Sequence, residues 1–154
     1  MTTITDAKKY LRQIELLDRR INARLEERQR VLDMLLRVTP VLRDTVVSGG
    51  ASGHEKIENG VEKLVRYEDE INSDIDRMVS LKREVSAIID RIDNPDRVTV
   101  LYSRYIGYKS FERIAVDMNM SYRNVCYIHG KALRDVGRIL EEDDSGKEKE
   151  NQPT

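Results

Sequence analysis

The chain has 154 residues, with 27 Lys+Arg against 28 Asp+Glu and a formal net charge of -1. Charged residues make up 36% and hydrophobic ones 39%, against about 25% and 45–50% in an average globular chain. That composition excludes a single broad core and points to long amphipathic helices, an all-α chain.

The first predicted helix runs from about Asp6 to Arg37. Leu11, Ile14, Asp18, Ile21, Leu25, Arg28, Leu32 and Leu35 alternate at the three- and four-residue steps of a heptad seam. Pro40 is expected to stop or bend this helix. Residues 44–54, rich in Gly and Ser, read as a flexible loop. A second helix follows from about Glu55 to Asp93, roughly 55 Å at ~1.5 Å per residue. Its seam is Ile57, Val61, Leu64, Glu68, Ile71, Ile75, Met78, Lys82, Val85, Ile89 and Ile92. A narrow stripe on so long a helix needs a partner.

The nearest partner is the first helix, folded back through the loop as a long antiparallel, coiled-coil-like hairpin. Facing Arg28 with Glu68 sets Ile21 opposite Ile75, Leu25 opposite Ile71 and Leu35 opposite Val61. In that register Ile75→Asp should cost several kcal/mol. Residues 6–44 carry a net +3 and residues 55–96 a net -5, which favours the pairing. A homo-oligomer through the same stripe is the alternative.

Asn94-Pro95 opens a third segment, with Asn94 as cap and Pro95 at the first helical position. That helix extends to about Ile106 and ends at Gly107. Ser110 caps a short helix, Phe111 to Met118, and Asn119 tolerates a left-handed turn. Ser121 caps the last helix, whose Val125, Ile128, Ala132 and Leu133 point inward. Residues 97–140 carry a net +5 and residues 141–154 a net -4. The acidic tail has no apolar periodicity. It is expected to be disordered and to compete with DNA for the basic face. The chain thus divides into a hairpin, 1–93, a three-helix unit, 94–140, and a tail, 141–154.

Two short helices joined by a tight turn in a basic unit have the pattern of a helix-turn-helix. Its second helix would present Tyr122, Arg123, Asn124 and Tyr127 to base edges in the major groove, with Cys126 beside them. Lys109, Arg113, Lys131 and Arg134 are the candidates for neutralising phosphates of double-stranded DNA. The bland alternative is a small packing unit whose Arg123 and Asn124 are solvated and whose tyrosines cover the core.

The residues also resemble known families. The run from Leu101 to Ala115 resembles the approach to the helix-turn-helix of sigma-factor region four. Met120 to Leu133 resembles its recognition helix, through the Ser121 cap, Val125, Ile128 and the Lys131-Ala132-Leu133 ending. Residues 8–140 as a whole are similar to small prophage proteins of Gram-positive bacteria, near late-gene transcription regulators of the ArpU type. The resemblance implies binding to a promoter hexamer and contact with RNA polymerase. Asn119 stands where that pattern has Gly, and Tyr122 and Cys126 stand where it often has Arg or another polar residue. Nothing resembles the promoter-melting region of a complete sigma factor.

Other classes carry less support. No run approaches the roughly 18 apolar residues of a transmembrane helix, and Met1–Lys9 lacks a signal-peptide stretch. A protein of the bacterial cytoplasm, without membrane contact, is expected. Cys126 alone forms no intrachain disulfide, and His54 and His129 make no zinc spacing. No metal, cofactor or catalytic set is expected, so an enzyme is not. The reading is a sequence-specific regulator of phage or prophage transcription. Its rivals are a polymerase-binding adaptor that reads no bases and a DNA-recognition component of phage packaging, like a small terminase subunit.

Overall fold

The computed structural model describes residues 4–44 and 51–150, and among them every regular element is helical. The order is α1 (Ile4–Asp44), α2 (Ala51–Ile89), α3 (Pro95–Leu101), a π-helical turn (Tyr102–Ile106), α4 (Phe111–Asp117) and α5 (Tyr122–Glu150). The capping signals hold to the residue. Asn94 Oδ1 accepts from the Arg97 N–H at 3.1 Å, Ser110 Oγ from Arg113 at 3.2 Å and Ser121 Oγ from Asn124 at 3.1 Å. Each meets an amide that the first helical turn leaves unpaired.

Four expectations are corrected. Pro40 does not stop α1, which continues to Asp44; a proline deletes one N–H and crowds one carbonyl, but the bonds on either side can still form. Residues 51–54 are helical rather than loop, because each poor helix former costs at most about 1 kcal/mol against a helix already nucleated. The rest of the predicted loop, 45–50, lies outside the described residues. At the other end, α2 stops at Ile89, four residues before Asp93.

The fourth correction is the tail. Residues 141–150 continue α5 as helix. Arg91 Nη1 reaches Asp143 Oδ1 at 2.8 Å and its Nη2 reaches Glu142 Oε2 at 3.4 Å. Asp143 and Lys147 stand at the favourable acid-before-base spacing of four, and Lys147 and Lys149 suit the negative end of the helix dipole. Charge order and one partner arginine, rather than apolar periodicity, hold this segment. At ~1.5 Å per residue, Asp143 lies about 30 Å along the axis from Arg123. The remainder of the expected disordered tail, 151–154, lies outside the described residues.

The structure divides into two compact units, and the division differs from a boundary at residue 93. One unit is Leu17–Met78, and the other combines Met1–Leu16 with Val79–Thr154. In the first, Leu17, Ile21, Val31, Ile71 and Met78 are buried together with one carboxylate, Asp74, at 1% exposure. Arg20 grips Asp74 with two bonds, Nε to Oδ2 at 3.0 Å and Nη2 to Oδ1 at 2.9 Å. Arg24 Nη1 meets the same carboxylate, and its Nε lies 3.4 Å from Glu70. Arg28 Nη1 lies 3.8 Å from Glu68 Oε1, the pair that set the expected register. These ion pairs occur in reverse order along α1 and α2. At Gly60 an added Cβ would come within 2.6 Å of Leu35 Cδ2, so the missing side chain lets the helices approach.

Asp74 takes the seam place that the apolar pattern assigns to Ile75. One residue is about 100° around a helix, so Ile75 turns outward and is 42% exposed, while Ile71 is 4% exposed. The expected cost therefore moves. Ile71→Asp should destabilise by several kcal/mol, because an unpaired charge would be buried. Ile75→Asp should change stability by less than about 1 kcal/mol. Urea titration of both variants checks the ranking, and an equal loss would restore the apolar register.

In the second unit, Ala7, Leu11 and Ile14 of α1 and Val85, Ile88 and Ile89 of α2 are buried alongside the inner residues of α3 to α5. Tyr10 donates to Glu84 Oε1 at 2.7 Å. Burial and this carboxylate raise the Tyr10 pKa.

Candidate nucleic-acid interface

The α3–α5 region is built on a small cluster of Val100, Ile114, Ala115 and Val125, with Phe111, Met118, Met120 and Ile128 packed against it. The turn between α4 and α5 follows from one residue. Asn119 adopts φ 53°, the Met120 N–H returns to the Ala115 carbonyl at 2.9 Å, and the Asn119 N–H to Val116 at 3.2 Å. This is a Schellman ending, with Asn replacing the more usual Gly. The Ser121 cap then starts α5 at once.

The segment before α4 departs from expectation. α3 passes into a π-helical turn, closed by the Gly107 N–H to the Tyr102 carbonyl at 2.9 Å. Gly107 is not the left-handed residue; its φ is -86°. A Cβ there would stand 2.9 Å from the Ser103 carbonyl oxygen, which accounts for glycine. The left-handed residue is Tyr108, at φ 55°. The Arg104 guanidinium lies over the Phe111 ring at 4.4 Å and donates to the Lys109 carbonyl at 3.0 Å, bracing this turn.

Beneath α5 sits a buried polar pair that sequence reasoning missed. His129 is 8% exposed, and its Nε2 shares a 2.7 Å hydrogen bond with the Tyr105 hydroxyl. Its ring stacks on Tyr105 and meets the Phe111 edge at 4.8 Å between centroids. Burial, with smaller effects from Lys8 and Arg104, lowers the imidazole pKa to about 4. Burial likewise raises Tyr105 to about 12. The signal was available: Val125, His129 and Leu133 share one helical face at steps of four.

The outer surface of α5 carries the base-reading candidates. Tyr122, Arg123, Asn124 and Tyr127 are exposed, and Cys126 is half-buried. Cys126 stands one turn after Tyr122, and its side chain holds the phenol's pKa above the ordinary value. Arg123, Tyr127, Lys131 and Arg134 follow one another at steps of three and four on one stripe. Lys131 Nζ lies 4.8 Å from the Tyr127 ring centroid, and this cation holds the phenol's pKa below its ordinary value. Arg123 and Lys131 are about 12 Å apart along the axis, comparable with the width of a major groove.

The four phosphate candidates do not stand alike. Lys131 and Arg134 share the α5 stripe. Lys109 and Arg113 are both engaged by Asp117, the last residue of α4. Lys109 Nζ lies 2.7 Å from Oδ2, and Arg113 Nε 3.0 Å from Oδ1. The Lys109 hydrogen bond is the main reason the Asp117 carboxyl titrates below its usual range. Asp117 was not singled out from sequence, although its spacing of four from Arg113 was visible.

Among the described residues, no group of three His, Cys, Asp or Glu could hold a metal ion. No helix there is long and apolar enough to cross a membrane. A cleft of about 490 Å³ beside Tyr10 and Glu84 is lined by Ala87, Ile88 and Leu140 together with charged side chains. Its Arg91 is already paired with Asp143, and no His, Cys or Ser lines it.

The model of a family described as Protein of unknown function (DUF1492) matches residues 36–136, more than half of the chain. The chain belongs to this family. The DUF1492 match takes in all of α2, α3 and α4 and the first half of α5, with every candidate residue of the interface. No curated protein and no solved structure matches the chain.

Proposed function

We propose that this DUF1492 protein is a sequence-specific DNA-binding regulator of transcription, with α4 and α5 acting as a helix-turn-helix. The observation that carries the reading is the α5 stripe. Arg123 and Tyr127 stand exposed in the first turns after a capped N-terminus, and Lys131 and Arg134 continue the same face. A helix docked by its N-terminal turns would read base edges with Arg123, Tyr127 and, on the neighbouring face, Tyr122 and Asn124. Its later cations would meet phosphates. The resemblance to sigma region four and to prophage late-gene regulators supports the same assignment, in the cytoplasm of a bacterial host. The reversed order of the ion pairs between α1 and α2 supports an antiparallel helical hairpin in residues 17–78.

The test separates base reading from general attraction to DNA. A preferred site is first selected from a random DNA pool. Arg123→Ala should then weaken binding to that site by about 1–3 kcal/mol and relax preference at one base position. Lys131→Ala should weaken selected and random DNA alike and make the salt dependence shallower by about one unit. Identical losses for the two variants on both DNAs would overturn sequence reading.

A second reading, a protein-binding adaptor that contacts RNA polymerase, is favoured by one observation. Val116, on α4, is 72% exposed, and an apolar side chain offers a phosphate backbone nothing. No selectable DNA site, together with polymerase retention that Val116→Asp abolishes, would put the adaptor first.

A further inference from the structure

Resting on the DNA-binding reading, we infer that Asp117 is an internal phosphate mimic: it occupies Lys109 and Arg113 in the free protein, and a DNA phosphate takes its place in the complex. The geometry is that of an anion divided between two cations. One carboxylate oxygen receives Lys109 Nζ at 2.7 Å and the other Arg113 Nε at 3.0 Å, as two non-bridging phosphate oxygens would. All three groups are reachable from solvent, with side chains 44%, 66% and 28% exposed for Lys109, Arg113 and Asp117.

Helix stability does not explain the acid. Asp117 is the final residue of α4, where the helix dipole disfavours a negative charge. Exposed ion pairs of this kind add little to stability, because solvent screens them and ordering two long side chains costs entropy. Asp117 makes no cap: the α4 ending is closed by backbone groups of Met118, Asn119 and Met120. What the carboxylate does alter is the field at the first helix of the helix-turn-helix, the element that crosses the DNA backbone in such motifs. It leaves one net positive charge where Lys109 and Arg113 alone would supply two. The salt-dependent, sequence-independent part of the affinity is reduced accordingly.

The test is Asp117→Asn, with Asp117→Ser as a second neutral variant, in the full chain. Both should melt at or slightly above the wild-type temperature. Both should bind the selected site and random double-stranded DNA about 3–10-fold more tightly at low salt, with a salt dependence steeper by about one unit. Arg113→Ala should cost several-fold more affinity in the Asp117→Asn background than in the wild type, because only there is its charge unshared. A folded Asp117→Asn protein that binds DNA no better than wild type, or an Arg113 effect equal in both backgrounds, overturns the inference and leaves the functional reading standing. If neither wild type nor variant binds any DNA, the functional reading itself is overturned. Binding by the variant alone would support both.

Discussion

Val125→Asp is expected to abolish cooperative folding of the unit that holds α3 to α5. Val125 has no exposed surface and packs with Val100, Ile114 and Ala115. An aspartate there would stand among apolar side chains, and a buried unpaired charge belongs to the small class of substitutions that cost more than about 4–5 kcal/mol. That is comparable with the whole stability of a small domain. Urea unfolding followed by circular dichroism should show loss of the native baseline, with DNA binding lost alongside it. Val116→Asp, nine residues earlier and 72% exposed, is the control and should unfold within about 0.5 kcal/mol of wild type. A cooperative Val125→Asp transition near the wild-type midpoint would show that α5 does not pack on α3 and α4 through this residue.

The second large effect depends on pH. His129 is held neutral, with a folded-state pKa of about 4 against an ordinary 6.5. The unfolded chain therefore takes up the proton first. The contribution of the neutral, buried ring is complete above about pH 6.5 and is lost as the pH falls through about 4. Over that window the loss is on the order of 2–3 kcal/mol. Gln at position 129 can still meet the Tyr105 hydroxyl but does not titrate. His129→Gln should thus be less stable than wild type at pH 7 and should lose less on acidification. Urea midpoints measured at several values between pH 7 and pH 4.5 check this. Parallel pH profiles for wild type and His129→Gln would mean that the imidazole is not the group being charged.

The punctuation of the chain was legible because capping is a local event. Asn94, Ser110, Ser121 and Asn119 act within three or four residues of themselves, so their types and spacing carry the information. The candidate residues on α5 were legible for a similar reason, since their exposure follows from helical period alone. What sequence reading missed depended on partners distant along the chain. Asp74 enters the seam because Arg20 and Arg24, fifty or so positions earlier, surround it. The helical tail depends on Arg91, and the burial of His129 on Tyr105 and Phe111. Hydrophobic periodicity treats each of these as a polar residue on an outer face. The Asp117 contacts lay between the two cases. Its pairing with Arg113 is local, but the Lys109 contact needs the turn before α4.

Residues 17–78 interrupt the other unit rather than precede it, which makes the protein a nested architecture with practical consequences for how it can be cut. A clone beginning at Asn94 would keep every side chain of the candidate interface but discard Ala7, Leu11, Ile14, Val85, Ile88, Ile89 and Ile92, all buried in the native molecule. Such a fragment would carry a fresh apolar face and should aggregate or require a solubilising fusion. The minimal folding piece is discontinuous: both termini of the chain belong to it, and the excisable part lies in the middle. Matched removal of whole heptads from α1 and α2 within residues 17–78 preserves the phase of each helix. Shortening from the inside, rather than trimming from either end, is therefore the route to a smaller functional version of this protein.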